Sequence, residues 1–76
     1  MDVLKVEVRL FATFRNGRGK KVYIEMDDPT PIKPLKSIGI EREAVAILLI
    51  NGRDGLYEQA ILEGDYLSVF PPVGGG

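Results

Sequence analysis

From Leu4 to Leu10 the chain alternates without a lapse, with Leu4, Val6, Val8 and Leu10 on one side and Lys5, Glu7 and Arg9 on the other. A period of two places successive side chains on opposite faces of a pleated strand, so this segment is a half-buried strand. Lys20 to Met26 resumes the pattern, with Val22, Ile24 and Met26 in phase. Between them, Asn16-Gly17-Arg18-Gly19 supplies the residue types that tolerate the positive φ of a reversal. The two strands are therefore expected to form an antiparallel hairpin with a loop longer than two residues.

Asp27-Asp28-Pro29-Thr30-Pro31 ends the hairpin. Ile32, Leu35 and Ile38 then share one helical face, and Gly39 stands where a left-handed C-terminal cap falls. Pro34 lacks an N–H and disfavours helical geometry at Lys33, which predicts a short helix, 33–38, with Pro34 in its first turn. Ala44 to Ile50 is continuously apolar and rich in Ile and Val, and is read as a strand covered on both sides. Asn51 to Gly55 is a turn cluster, Leu56 to Leu62 a loop with a short turn of helix, and Glu63-Gly64-Asp65 another turn. Tyr66 to Phe70 is the last strand, stopped by Pro71-Pro72.

This order describes an α+β domain in which one short helix packs across a mixed sheet of four to five strands. The first and last strands are expected to be central parallel neighbours, which is the β-grasp, or ubiquitin-like, arrangement. One such domain accounts for residues 1–76, with 71–76 as an extended, flexible C-terminal tail.

Composition narrows the chemistry. The sequence has no Cys and no His, which removes disulfides, thiolate metal sites and the commonest general base and metal ligand. No metal site is expected. Residues 1–38 carry eight Lys/Arg against five Asp/Glu (+3) and residues 39–76 two against six (−4), which sums to the net −1. Bulk electrostatics therefore favour neither nucleic acid nor a membrane surface as partner. The sequence has neither an apolar run of membrane-spanning length nor a signal-peptide pattern at Met1-Asp2-Val3, so a cytoplasmic location is expected.

The chemistry-bearing candidate is the tail, Phe70-Pro71-Pro72-Val73-Gly74-Gly75-Gly76. Two prolines fix φ and favour extended geometry, projecting the last four residues away from the domain. Val73 to Gly76 span roughly 13 Å at about 3.3 Å per residue. Gly74, Gly75 and Gly76 have no side chains, so a partner's walls can close on the backbone itself. The working group would be the α-carboxylate of Gly76, an oxygen nucleophile toward the α-phosphate of ATP. The chain has no phosphate-binding loop of its own to hold that nucleotide.

Val6-Glu7-Val8-Arg9-Leu10-Phe11-Ala12-Thr13-Phe14-Arg15, Ile50-Asn51-Gly52-Arg53, Leu62-Glu63-Gly64-Asp65 and Val69 through Gly76 resemble the sulfur-carrier family of β-grasp proteins. Within that family the tail is similar to that of molybdopterin synthase small subunits, which end in Phe-Pro-Pro-Val, a small residue and Gly-Gly. The resemblance implies a chain that is not catalytic alone and binds no cofactor. An E1-like enzyme adenylates the Gly76 carboxylate using Mg-ATP, and a sulfurtransferase converts it to a thiocarboxylate. The tail then enters the large subunit of molybdopterin synthase. Phe11, Phe70, Pro71, Pro72, Val73, Gly74 and Gly75 would make the partner contacts. The same resemblance admits carriers for thiamin or tRNA thiolation, and ubiquitin-like modifiers joined to lysines. Both helical segments are shorter here than is usual in the family, which bears on partner choice.

Arg15, Arg18, Lys20 and Lys21 form a basic hairpin tip, read as a solvated turn in preference to an RNA or acidic-protein contact. Phe11, Phe14, Tyr66 and Phe70 include aromatics out of phase with the alternating core. They form either an exposed apolar patch suited to binding or merely scattered surface aromatics. Asp27-Asp28 and Glu41/Glu43 are assigned to turns and capping, not to metal or acid–base work.

Overall fold

The computed structural model describes residues 4–27 and 30–72. Strands β1 (Leu4–Leu10) and β2 (Lys21–Met26) form the expected hairpin, in register from Leu4 opposite Met26 to Arg9 opposite Lys21. The helix α1 covers Ile32–Ser37, one residue out of step with the expected span at each end. Pro34 falls inside its first turn, where the backbone N–H has no intrahelical acceptor in any case. Gly39 takes φ +83° and closes the helix: its N–H reaches Lys36 O at 3.0 Å and that of Ile40 reaches Leu35 O at 2.9 Å. These are the paired bonds of a Schellman cap, and the accompanying apolar contact is supplied by Leu35 and Ile40, both buried.

Three further strands, β3 (Ile47–Ile50), β4 (Arg53–Asp54) and β5 (Tyr66–Phe70), complete a five-stranded sheet in the order β2-β1-β5-β3-β4. The first and last strands are indeed parallel central neighbours, with Leu10 beside Val69. The fold is thus the mixed-sheet, single-short-helix β-grasp arrangement.

Two expectations about the middle of the chain are corrected. The apolar run 44–50 is not one strand covered on both sides. Arg42–Ala44 form a 3-10 turn, and in β3 only Leu48 and Ile50 are buried, while Ile47 is 49 % exposed. The strand is internal to the sheet, but the single helix lies on one face only, so alternate residues of β3 face outward. The turn cluster 51–55 hides the two-residue strand β4, which pairs with β3 through Leu49–Asp54 and Ile50–Arg53. Between Leu56 and Leu62 the chain makes only turns, with no helix.

The core lies between the sheet and the segments that cross it. Val6, Val8 and Leu10 of β1, Leu48 and Ile50 of β3, and Leu67 and Val69 of β5 point inward, and Leu35, Ile40 and Ile61 close over them. Phe14 joins this cluster at 7 % exposure instead of forming part of an outer patch. It sits in a 3-10 turn, Ala12–Arg15, whose three-residue period turns it beneath the sheet while Phe11 stays outside. Arg18 ties the hairpin loop to the helix, donating from Nε to Ile38 O at 2.9 Å and from Nη1 to Phe14 O at 3.2 Å. A cation thereby satisfies a carbonyl left open at the end of α1. No helix among the described residues is long and apolar enough to cross a membrane.

Candidate functional site

Parallel pairing sets equal phases side by side. Because Leu10 and Val69 are register partners facing inward, the next residue of each chain segment, Phe11 and Phe70, faces outward at the same level. Their rings stack with centroids 4.3 Å apart and planes 13° from parallel. Both are half-buried, and the Arg15 guanidinium lies over Phe11 at 5.2 Å while Nε donates to Leu10 O at 2.8 Å. Ala46 N–H donates to Phe70 O at 2.8 Å, so the last strand residue is held on both flanks. The base of the tail therefore leaves a rigid point: Pro71 is half-buried and Pro72 exposed. Val73, Gly74, Gly75 and Gly76 lie outside the described residues.

The outward face continues from that stack. Tyr66, two residues before the buried Ser68, lies under the Arg9 guanidinium at 3.8 Å. Arg9 Nε also donates to Glu7 Oε2 at 2.6 Å, and Lys21 Nζ stands 3.9 Å from the same oxygen. The hydrogen bond from Arg9 lowers the Glu7 carboxyl from its ordinary value; burial opposes it, and the positive charges of Arg9 and Lys21 add to the lowering. Tyr23, 56 % exposed, is flanked by the ammonium groups of Lys5 and Lys21, each 5.8 Å from its ring. Ile47 completes an outward surface that is aromatic and apolar near the tail and cationic toward the hairpin.

At the opposite end of β5, two side chains whose residue types signal no more than turns make a clip. Asn51 Nδ2 donates to Asp65 Oδ1 at 2.8 Å, and Asn51 Oδ1 accepts from Tyr66 N–H at 3.0 Å. Asp65 Oδ2 accepts from Leu62 N–H at 2.9 Å. The clip fixes where β5 begins relative to β3, and hence where Phe70 ends it. Ile50 is the register partner of Leu67, so Asn51 and Tyr66 are neighbours once that pairing is known. Asn-Gly and Gly-Asp alone carry no sign of one another.

Of the sequence-predicted contact residues, the structure unites Phe11, Phe70 and Pro71 at one corner. The basic tip is not simply solvated, since Arg15 and Arg18 are engaged with backbone carbonyls. No group of three or more carboxylates suited to a metal occurs among the described residues. The outward face offers aromatic rings, guanidinium and ammonium groups, the Glu7 carboxylate bonded to Arg9 and the exposed Glu25 carboxylate of β2. Its exposed rings and cationic groups are surfaces on which a partner can pack.

Residues 8–76 match the ThiS family model. Small archaeal modifier protein 3 of Haloferax volcanii is 35 % identical over a 92-residue alignment covering 96 % of this chain and all of that protein. The crystal structure of SAMP1 from Haloferax volcanii superposes with a TM-score of 0.76 at 26 % identity, covering 95 % of this chain and 99 % of that one. One chain of the complex of subunits 1 and 2 of molybdopterin-converting factor from Helicobacter pylori superposes with a TM-score of 0.60 at 26 % identity, covering 96 % and 100 %.

Proposed function

The chain belongs to the ThiS family, and on that premise we propose that it is a sulfur carrier whose working group is the Gly76 carboxylate. The observation that carries the proposal is the continuity of the family match through Gly76, beyond a strand end that Phe11, Phe70 and Ala46 hold in place. In this reading an E1-like partner binds Mg-ATP. A carboxylate oxygen of Gly76 attacks the α-phosphate, releasing pyrophosphate and leaving an acyl adenylate. Sulfide-level sulfur supplied through a sulfurtransferase then attacks the acyl carbon, breaking the C–O bond to AMP and leaving the thiocarboxylate with release of one proton. All of the acid–base groups come from the partners, in keeping with a chain that has neither His nor Cys.

The finer assignment we propose is sulfur delivery in molybdopterin synthesis, within the cytoplasm. It is supported by the Phe-Pro-Pro-Val tail and by the likeness to a molybdopterin-converting factor chain from Helicobacter pylori, itself seen with a second subunit. The outward aromatic stripe and the C-terminal residues would then engage the large synthase subunit together. A second reading, favoured by the 35 % identity to a small archaeal modifier protein, is attachment of Gly76 to lysines of other proteins.

Incubation with ATP, an E1-like enzyme and a sulfur donor should raise the intact mass by the difference between sulfur and oxygen. Deletion of Gly75 and Gly76 should abolish that gain. A deletion variant that still becomes thiolated and still supports molybdopterin synthesis refutes the carrier reading. Peptides from cell extracts in which a lysine Nζ is joined to Gly76 would establish the modifier reading.

A further inference from the structure

We propose that the outer edge of β2 is a self-pairing surface, through which two copies of this chain join their sheets antiparallel with Tyr23 opposite Tyr23. The inference is independent of the tail's chemistry and starts from the hydrogen-bond phase of the hairpin. Leu10 N–H donates to Lys20 O at 2.8 Å, so 10–20 is a hydrogen-bonded pair. Antiparallel ladders alternate, which makes 8–22, 6–24 and 4–26 hydrogen-bonded as well. The N–H and C=O groups of Lys21, Tyr23 and Glu25 therefore point away from β1. β2 is the terminal strand of the sheet, and no described residue takes up those groups. Their side chains are exposed too.

An open edge of this kind is usually blunted by charge. Here the charges alternate in a way that complements itself. With Tyr23 on a two-fold axis, Lys21 of each copy faces Glu25 of the other, and Val22 faces Ile24. This register also brings the outward N–H and C=O groups of Lys21, Tyr23 and Glu25 into hydrogen-bonded pairs. Shifting by one pair sets Tyr23 opposite Lys21 or Glu25, and shifting further sets Lys21 against Lys21 or Glu25 against Glu25. Within Lys21–Met26 only this register sets opposite charges against each other, and, like every antiparallel pairing of a segment with its own copy, it is two-fold symmetric and closes as a dimer.

The two-fold axis stands normal to the sheet, so both helices cover one face of a continuous ten-stranded sheet and both outward faces lie on the other. β5 is two strands from the joined edge, which leaves the Phe11–Phe70 corner of each copy open. The two strand ends that lead into the tails point in opposite directions. The dimer would therefore present two tails to two separate partners.

Sedimentation of the full chain over a concentration series tests this. The expected result is a reversible rise from the 8.4 kDa monomer toward twice that mass. Amides of Lys21, Tyr23 and Glu25 should gain hydrogen-exchange protection with concentration, while those of Val22 and Ile24, already bonded to β1, should not. Lys21→Glu or Glu25→Lys alone sets like charges opposite each other twice per dimer and should weaken association roughly tenfold. The double variant Lys21→Glu/Glu25→Lys should restore it. A mass that stays monomeric at every concentration overturns the proposal. So does a dimer that both single variants leave unchanged, or one that the double swap fails to rescue while its spectrum shows an intact fold.

Discussion

Asn51 carries two separable contributions, and substitutions there should resolve them. Its backbone is left-handed, at φ +54°, and its side chain links Asp65 to the Tyr66 amide. Asn51→Gly keeps the backbone geometry at no steric cost and deletes both side-chain bonds. The groups involved are exposed and return to water, so the net loss belongs at the low end of about 0.5–1.5 kcal/mol per bond, or about 1–2 kcal/mol together. Asn51→Ala deletes the same bonds and adds the left-handed penalty of a Cβ, about 1 kcal/mol, for a total of about 2–3 kcal/mol. Urea unfolding of both variants reads the difference directly, and each kcal/mol should also move Tm by about 4–8 °C in a domain of this size. Asn51→Asp retains the acceptor for Tyr66 N–H but sets a carboxylate against Asp65, whose oxygen is now 2.8 Å from Asn51 Nδ2. One proton shared by that pair is bound more tightly in the folded state, so this variant should gain stability as pH falls through the carboxylate range. If Ala and Gly variants agree within about 0.3 kcal/mol, the ordinary scatter of such measurements, the backbone argument is wrong.

Other outcomes are as definite. A Cβ on Gly55 would stand 2.5 Å from Ile50 Cγ1 and 2.6 Å from its Cδ1, so Gly55→Ala should overpack the core and cost about 1–3 kcal/mol in denaturant unfolding. A double-mutant cycle on Phe11→Leu and Phe70→Leu should return a coupling of about 0.5–1.5 kcal/mol, with zero coupling refuting the stack. Carboxyl NMR titration should place Glu7 below the ordinary glutamate value of about 4.3, and Arg9→Gln should move it back up. Since the folded value is the lower one, Glu7's contribution to stability is complete at neutral pH. It is lost as pH falls through the lowered folded value.

What could be read from the sequence was what has a period. Leu4 to Leu10 and Val22 to Met26 alternate, and Leu35 with Gly39 marks a helix and its end, so the hairpin, the helix and the central parallel pair were legible. The run 44–50 misled because continuous apolarity has no phase. Nothing in Ala44-Val45-Ala46 distinguishes a turn approaching the sheet from a strand within it, and Ile47 and Leu49 face outward because only one layer covers the sheet. Phe14 left the outer patch because a 3-10 turn interrupts the alternation immediately after Leu10. The Asn51–Asp65 clip and the Arg9–Tyr66 contact each join residues from different elements. Such pairs become legible only after strand register is known.

The parallel partnership between residues 7–10 and 66–69 also governs when the molecule can exist. The sheet has no centre until β5 arrives, so a chain still being synthesised holds a hairpin and a helix with nothing to close over. Contacts this distant in sequence form late and slowly. The glycines come within a few residues of the strand that completes the core. Any enzyme that must grasp the finished face before reaching them would thus pass over unfinished or unravelled copies.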